Sequence, residues 1–317
     1  MSKKKIICLA LLTMLLWGSL FPMVKLGFQA YEITSTGDIL LFAGVRFTIC
    51  GVIICAFALG KNRKNFIPVK SSVLPVLLSG LFAIVLHYAF MYIGLAYTDS
   101  SKTAILKQVG VLFYVCFSAL FFKNDRLTVG KLIGVLLGFS GIVATSISSD
   151  GFSFHIGDLF IIAASFCMVF SNIIGKKVFQ KVEPITATGC SQLFGGVVLL
   201  AIGLAMGGKM YFALDRSAWI MVYICLASVF GYCIWYSIVK SNELSRLFII
   251  KFAEPMFASI IGALVLGENI FKIQYIIAFL LIALGIYIAN YKSKKAKGTD
   301  REIKGGHEET KGMQPEK

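Results

Sequence analysis

The sequence predicts an all-α integral membrane protein: ten transmembrane helices in two inverted-topology five-helix repeats. Three observations predict it. The first is composition. Of 317 residues, 57% are hydrophobic and 15% charged, against about 45–50% and about 25% in a soluble globular chain. That apolar surplus excludes an ordinary soluble domain, because only lipid can cover it. The second is a run of apolar segments, each close to the roughly 20 residues a helix needs to cross the hydrocarbon layer. The third is internal: shifted by 144 residues, 88–144 lies on 232–288 without a gap.

In chain order the apolar segments are 6–27, 38–59, 72–97, 101–122, 128–147, 156–175, 184–206, 217–239, 244–266 and 269–291. Lys3-Lys4-Lys5 before the first segment imitates a signal peptide, but no small-residue cleavage site follows, so the segment is read as a helix that stays. The breaks carry turn chemistry: Gly60-Lys61-Asn62, Thr98-Asp99-Ser100, Lys123-Asn124-Asp125, Ser149-Asp150-Gly151, Glu183-Pro184, Gly207-Gly208 and Gly267-Glu268-Asn269. Residues 1–147 form the first five-helix repeat, 156–291 the second, and 292–317 a disordered basic cytoplasmic tail.

The net charge of +15 imitates a nucleic-acid footprint, but the basic residues flank apolar segments, which makes them orientation signals and predicts no nucleic-acid partner. With the N-terminus inside, fifteen basic loop residues fall on the cytoplasmic side and four (Lys102, Lys209, Arg216 and Lys272) outside. Both termini are therefore expected in the cytoplasm of a cell with this chain in its (inner) membrane. The eight cysteines all sit in apolar segments with no CxxC spacing, and His87, His155 and His307 form no ligand motif. No disulfide, metal or cofactor is expected.

The informative matches of the repeat are polar: Tyr88 with Tyr232, Tyr92 with Tyr236, Ser101 with Ser245 and Lys107 with Lys251. Five spans per unit is an odd number, so the second copy enters the membrane from the opposite side. Such inverted repeats place a substrate path at their interface.

Phe252-Ala253-Glu254-Pro255-Met256-Phe257, then Gly262 and Leu266-Gly267-Glu268, resembles the Glu-Pro…Gly-Glu signature of EamA-type transporters in the drug/metabolite transporter superfamily. Trp17-Gly18-Ser19 and Arg46-Phe47 are similar to that family as well. The resemblance covers 6–291. It implies a carrier that exports or exchanges small metabolites by alternating access. The first repeat departs from the pattern, with Val109-Gly110-Val111 where the family often has proline and Lys123-Asn124-Asp125 where Gly-Glu is usual. The substrate is therefore read from this chain's own residues.

A charge at the bilayer centre costs at least about 2.5–3.5 kcal/mol and marks a cavity or a partner. Four basic residues, Lys25, Arg46, Lys107 and Lys251, lie within spans, and Glu254 is the one acid well inside. Lys25 is near a helix end and can snorkel outward; Arg46 is about 12 Å from its outer end. Lys107 and Lys251 lie at repeat-related depths, which places both on a shared chamber. Glu254 precedes a helix-breaking proline, and its simplest partner is Lys251, three residues away on the same face. Tyr88, Tyr232 and Trp17 join the expected pathway, as does Gln108 beside Lys107. His87, Asn172 and Gln192 are read as hydrogen-bonding glue between helices.

Gly130, Gly134, Gly138 and Gly141 permit close helix approach, either inside the chain or in a homodimer. The expected function is a secondary transporter, exporter or exchanger, of an amino acid or organic anion, coupled to protons or a counter-substrate. Export of drugs is the alternative. A channel would need a selectivity loop or charged ring, and an enzyme a nucleophile or paired acids; neither pattern occurs.

Overall fold

The computed structural model describes residues 3–61, 70–97, 103–104, 106–122, 127–146, 156–211, 216–266 and 273–290. Among them every regular element is helical. The helices are α1 (Lys3–Ala30), α2 (Thr36–Lys61), α3 (Lys70–Gly80), α4 (His87–Tyr97), α5 (Val109–Phe121), α6 (Val129–Ser146), α7 (Ile156–Val178), α8 (Pro184–Ala205), α9 (Arg216–Val239), α10 (Leu244–Ile250), α11 (Ala253–Leu266) and α12 (Ile273–Asn290). A π-helical turn, Leu81–Leu86, joins α3 to α4 without ending the span.

Seven described segments are long and apolar enough to cross a membrane: Lys4–Ala30, Thr36–Lys61, Ser71–Tyr97, Ile156–Val178, Pro184–Ala205, Ser217–Val239 and Leu244–Leu266. The other three expected spans correspond to α5, α6 and α12, whose described apolar stretches are shorter. The seven longer segments agree with the expected ones to within a few residues. The cytoplasmic tail, the Gly267-Glu268 of the signature and most of the turn sequences between spans lie outside the described residues.

Helix pairing reproduces the repeat. α2 packs on α8 and α6 on α12; α1 packs on α9 and α11, while α7 packs on α3–α4 and on α5. Exchanging the first five spans for the second five maps the α2–α8 and α6–α12 contacts onto themselves and the α1 contacts onto those of α7, as two units related by a two-fold axis require.

The α2–α8 seam has a cause readable in glycine. Gly37, Gly44 and Gly51 on α2 face Gly189, Gly196 and Gly203 on α8, both sets at seven-residue intervals. A Cβ at Gly44 would run into the backbone of Leu200, one at Gly51 into that of Leu193, and one at Gly196 into that of Thr48. Each glycine therefore admits a backbone turn of the opposite helix, which raises dispersion contact where lipid supplies no hydrophobic drive. At one end of the seam Asp38 Oδ2 accepts from the amides of Thr34 and Ser35, while Oδ1 accepts the amide of Lys209 at 2.7 Å, tying the α1–α2 turn to the α8–α9 turn.

The glycine ladder of the fifth span is used inside the chain. Gly134 lies against Gly285 and Ala289 of α12, and Gly138 against Phe252. The ladder therefore seats α12 rather than leaving a groove for a second copy. Between α9 and α10, Glu243 accepts from Arg246 Nε at 2.6 Å and pairs with Lys131 at 3.3 Å. Partial burial works to raise the Glu243 carboxyl, but the Arg246 hydrogen bond and the Lys131 charge outweigh it and hold the group below the usual carboxylate range.

Candidate functional site

Two broken spans bring charge to the centre. In span nine, Pro255 has no N–H to offer the Lys251 carbonyl, its α-helical acceptor four residues back. The Glu254 amide takes that carbonyl instead at 2.9 Å, and Lys251 and Phe252 bond three residues back, to Phe248 and Ile249. The helix thus stops at Ile250 and restarts at Ala253, turning Lys251 and Glu254 inward. The fourth span has a turn at the matching place, Lys107–Gln108, ahead of α5, although Val111 stands where the second repeat has Pro255. On the other side Gly18 lets α1 approach so closely that a Cβ there would lie within 3.0 Å of the Glu254 carbonyl and of Phe257.

These elements border a partly open cavity of about 40 Å³ between the repeats. Trp17, Arg46, Tyr88, Lys107, Tyr232, Lys251 and Glu254 all line it. Those are seven of the eight side chains expected on the pathway. Gln108 is buried nearby but not on the wall: its Nε2 donates to the Ala104 carbonyl at 3.2 Å, and its Oε1 has no partner among the described residues. Lys25 is half-buried and off the cavity.

The expected Lys251–Glu254 pair does not form. Glu254 Oε1 instead accepts Lys107 Nζ across the repeat boundary at 2.8 Å, with both side chains at least nine-tenths buried. Three residues' separation makes helix neighbours only where the helix is continuous, and it is broken between these two. Lys251 Nζ sits 4.4 Å from the ring centroids of both Trp17 and Trp235, where the negative ring faces attract a cation.

Arg46 is fully buried. Its Nε and Nη2 donate to Ser228 Oγ at 3.1 and 2.6 Å, and its Nη1 donates to Tyr92 OH. The guanidinium also lies 4.7 Å from the Phe47 ring and 5.5 Å from that of Tyr88. Its partners among the described residues are all neutral.

Between these two ends, Tyr232 OH donates to Tyr88 OH at 3.0 Å, so the repeat-related tyrosines meet near the two-fold axis. Trp235 Nε1–H donates to Asn172 Oδ1 at 2.8 Å, which fixes the face that Trp235 turns to Lys251. Gly231 matters too: the Trp17 indole fills the space a Cβ would need there. His87, which follows the π-helical turn, pairs through Nδ1 with the Ala164 carbonyl at 2.7 Å.

Four participants escaped sequence reasoning. Ser228 and the π-helical turn carry no sequence signal. Asn172 and His87 read in sequence as hydrogen-bonding glue between helices, yet both line the cavity. Their hydrogen bonds to neighbouring helices are real, so the two roles coexist. Gln192 is buried, off the cavity, with neither amide atom partnered among the described residues.

The family model described as the EamA-like transporter family matches twice, over 4–147 and 155–291. The chain belongs to that family. An uncharacterized transporter of Archaeoglobus fulgidus is 26% identical over 290 residues, covering 90% of this chain and 98% of the relative. The uncharacterized transporter YvbV of Bacillus subtilis is 27% identical, with coverage of 89% and 90%. The uncharacterized inner membrane transporter YedA of Escherichia coli K12 is 23% identical, with coverage of 86% and 89%. A crystal structure aligns with a TM-score of 0.75 over 91% of this chain and 97% of its own, at 18% identity, and supports the fold. As an EamA-like protein the chain is a multi-pass membrane transporter, and its two matched units correspond to the two helix repeats.

Proposed function

We propose that this EamA-like protein is a secondary carrier for small anionic or zwitterionic metabolites, amino acids or organic anions, working by alternating access between its two repeats. One observation carries the substrate class. Among the described residues the cavity wall holds three basic side chains, Arg46, Lys107 and Lys251, against one carboxylate, Glu254. Glu254 is already engaged with Lys107. A low-dielectric site magnifies the remaining positive charge, and a substrate carboxylate answers it. Glu254 Oε2, buried and without a partner among the described residues, is placed to accept an ammonium group or a coupling proton. The aromatic wall of Trp17, Tyr88, Tyr232 and Trp235 contributes apolar contact.

The same reading places the protein in the cell membrane with both termini cytoplasmic, on the fifteen-to-four distribution of loop Lys and Arg. The test is a metabolite-uptake panel in vesicles with imposed pH and substrate gradients. The expected result is uptake of anions or zwitterions, lost in Lys251→Gln and in Arg46→Gln while membrane insertion persists. Normal transport by both variants overturns the reading, as does a wild type that moves only quaternary cations.

A further inference from the structure

Three rings meet around the end of Lys251. Its Nζ lies 4.4 Å from the ring centroids of Trp17 and Trp235 and 5.9 Å from that of Phe248. Ring faces within about 6 Å attract a cation, and an aromatic cage of this kind receives quaternary ammonium ligands. The walls stand without help from Lys251. Trp235 Nε1–H donates to Asn172 Oδ1 at 2.8 Å. The Trp17 indole is seated in the space that a Cβ at Gly231 would need, and Phe248 is wholly buried. Trp17, Trp235 and Lys251 all line the central cavity, so the cage borders the substrate path.

A lysine at this place does not require such walls. Lys107 stands at the matching position of the first repeat, where Met91 and Ala104 correspond to Trp235 and Phe248. Lys107 pairs with Glu254 and has the Phe21 ring at 5.2 Å. The cage is therefore an addition of the second repeat, beyond what burying a lysine demands.

We propose that Trp17, Trp235 and Phe248 form an organic-ammonium site and that Lys251 is its built-in occupant. The side chain plugs the cage and denies it to methylated ammonium compounds, which makes Lys251 a specificity-determining residue. This rests on the anionic or zwitterionic reading above and adds the means by which bulky ammonium groups are refused. The plug works by occupancy: protonated or neutral, the side chain fills the space between the rings. Truncating it leaves the rings in place and adds room to the cavity. The ligand that suits the emptied cage is a betaine. Its trimethylammonium group meets the ring faces, and its carboxylate offsets the positive charge that Arg46 brings to the same cavity.

Tryptophan itself supplies the readout. The chain has three tryptophans, Trp17, Trp219 and Trp235, and Trp219 is 76% exposed on the outer surface of α9. In a full-length Trp219→Phe parent, both remaining indoles are cage walls, and fluorescence titration reads occupancy. Glycine betaine and glycine are titrated into the detergent-purified parent and into Lys251→Ala, with Lys251→Ser alongside so that a folding defect of one truncation does not decide the result. Truncation should tighten betaine binding by about tenfold or more, as two desolvated ring contacts supply, with no comparable gain for glycine. Adding Trp235→Leu should remove the gain. Lys251→Arg, which keeps a long cation between the rings, should bind no better than the parent.

Betaine binding by the parent as tight as by the truncated proteins overturns the plug, and so does a gain in Lys251→Arg. A gain that survives Trp235→Leu, or an equal gain for glycine, overturns recognition by the rings. No gain in a truncated protein that keeps its unfolding temperature overturns the whole proposal. A wild type that moves no anion or zwitterion in vesicles overturns the substrate class alone, because the titration decides the plug by itself.

Discussion

Lys107 and Lys251 occupy equivalent positions in the two repeats, yet their surroundings have little in common. Lys107 makes a buried ion pair with Glu254, whereas Lys251 is held by two tryptophan faces. The α2–α8 seam is the opposite case: glycines at equal spacing on both helices do the same thing from each side. The difference separates scaffold from site. Packing of like on like is satisfied by symmetric partners, so the seam keeps its symmetry. A substrate is not symmetric, and a single glutamate in one repeat suffices to make the two lysines chemically distinct.

The sharpest way to break this comparison is to remove the shared acid. Glu254→Gln or Lys107→Gln leaves one buried charge alone and should lower stability by about 3–5 kcal/mol, read by thermal unfolding in detergent. The double variant should recover most of that loss in a mutant cycle. Lys251→Gln deletes a charge that has no ionic partner among the described residues, so its stability should stay close to wild type. Equal destabilisation by Lys107→Gln and Lys251→Gln would mean that the two lysines are not distinct after all.

Next in size is the seam. Gly44→Ala forces a methyl into the Leu200 backbone and should cost about 1–3 kcal/mol, as overpacking does. Gly60, near the end of the same helix, has no neighbour among the described residues within 4 Å of an added Cβ, and Gly60→Ala should be neutral or gain up to about 0.5 kcal/mol from helix propensity. A seam variant as harmless as Gly60→Ala would remove the packing explanation of the symmetry. Trp235→Phe keeps a ring over Lys251 but loses the hydrogen bond to Asn172, a loss of about 1 kcal/mol. Its effect on transport should exceed its effect on stability, because the ring loses the anchor that orients it.

The smallest effect lies at the α9–α10 turn. The Glu243 carboxyl is held low by Arg246 and Lys131, so its stabilisation is present above the unfolded carboxylate range and is lost as pH falls through the folded value. The group is exposed by 40%, which limits the contribution to a few tenths of a kcal/mol. Unfolding temperatures followed from about pH 7 to about pH 3 should show slightly less acid loss in Glu243→Gln than in wild type.

Sequence alone determined a good deal here. Hydropathy fixed the membrane class because a bilayer accepts one backbone solution for a chain of this composition, the helix. Spacing revealed the repeat, and burial cost singled out Arg46, Lys107, Lys251 and Glu254, since a charge within a span always demands a reason. The glycines at seven-residue intervals on α2 and α8 acquired their meaning only from the fold, which sets those two helices side by side. Tertiary structure decided who meets whom. Sequence neighbourhood favoured Glu254 with Lys251, and the helix break beside Pro255 gave it to Lys107 instead, at a turn of the fourth span far away in the chain. It decided that the fifth-span glycines seat α12 and that Ser228 and Asn172 reach the site. It also opened a turn at Lys107–Gln108 without any proline to announce it. The physical reason is range: hydrophobicity and charge burial are properties of a residue and its near neighbours, whereas ion pairs, close helix approach and cavity walls depend on backbone paths that meet only after folding.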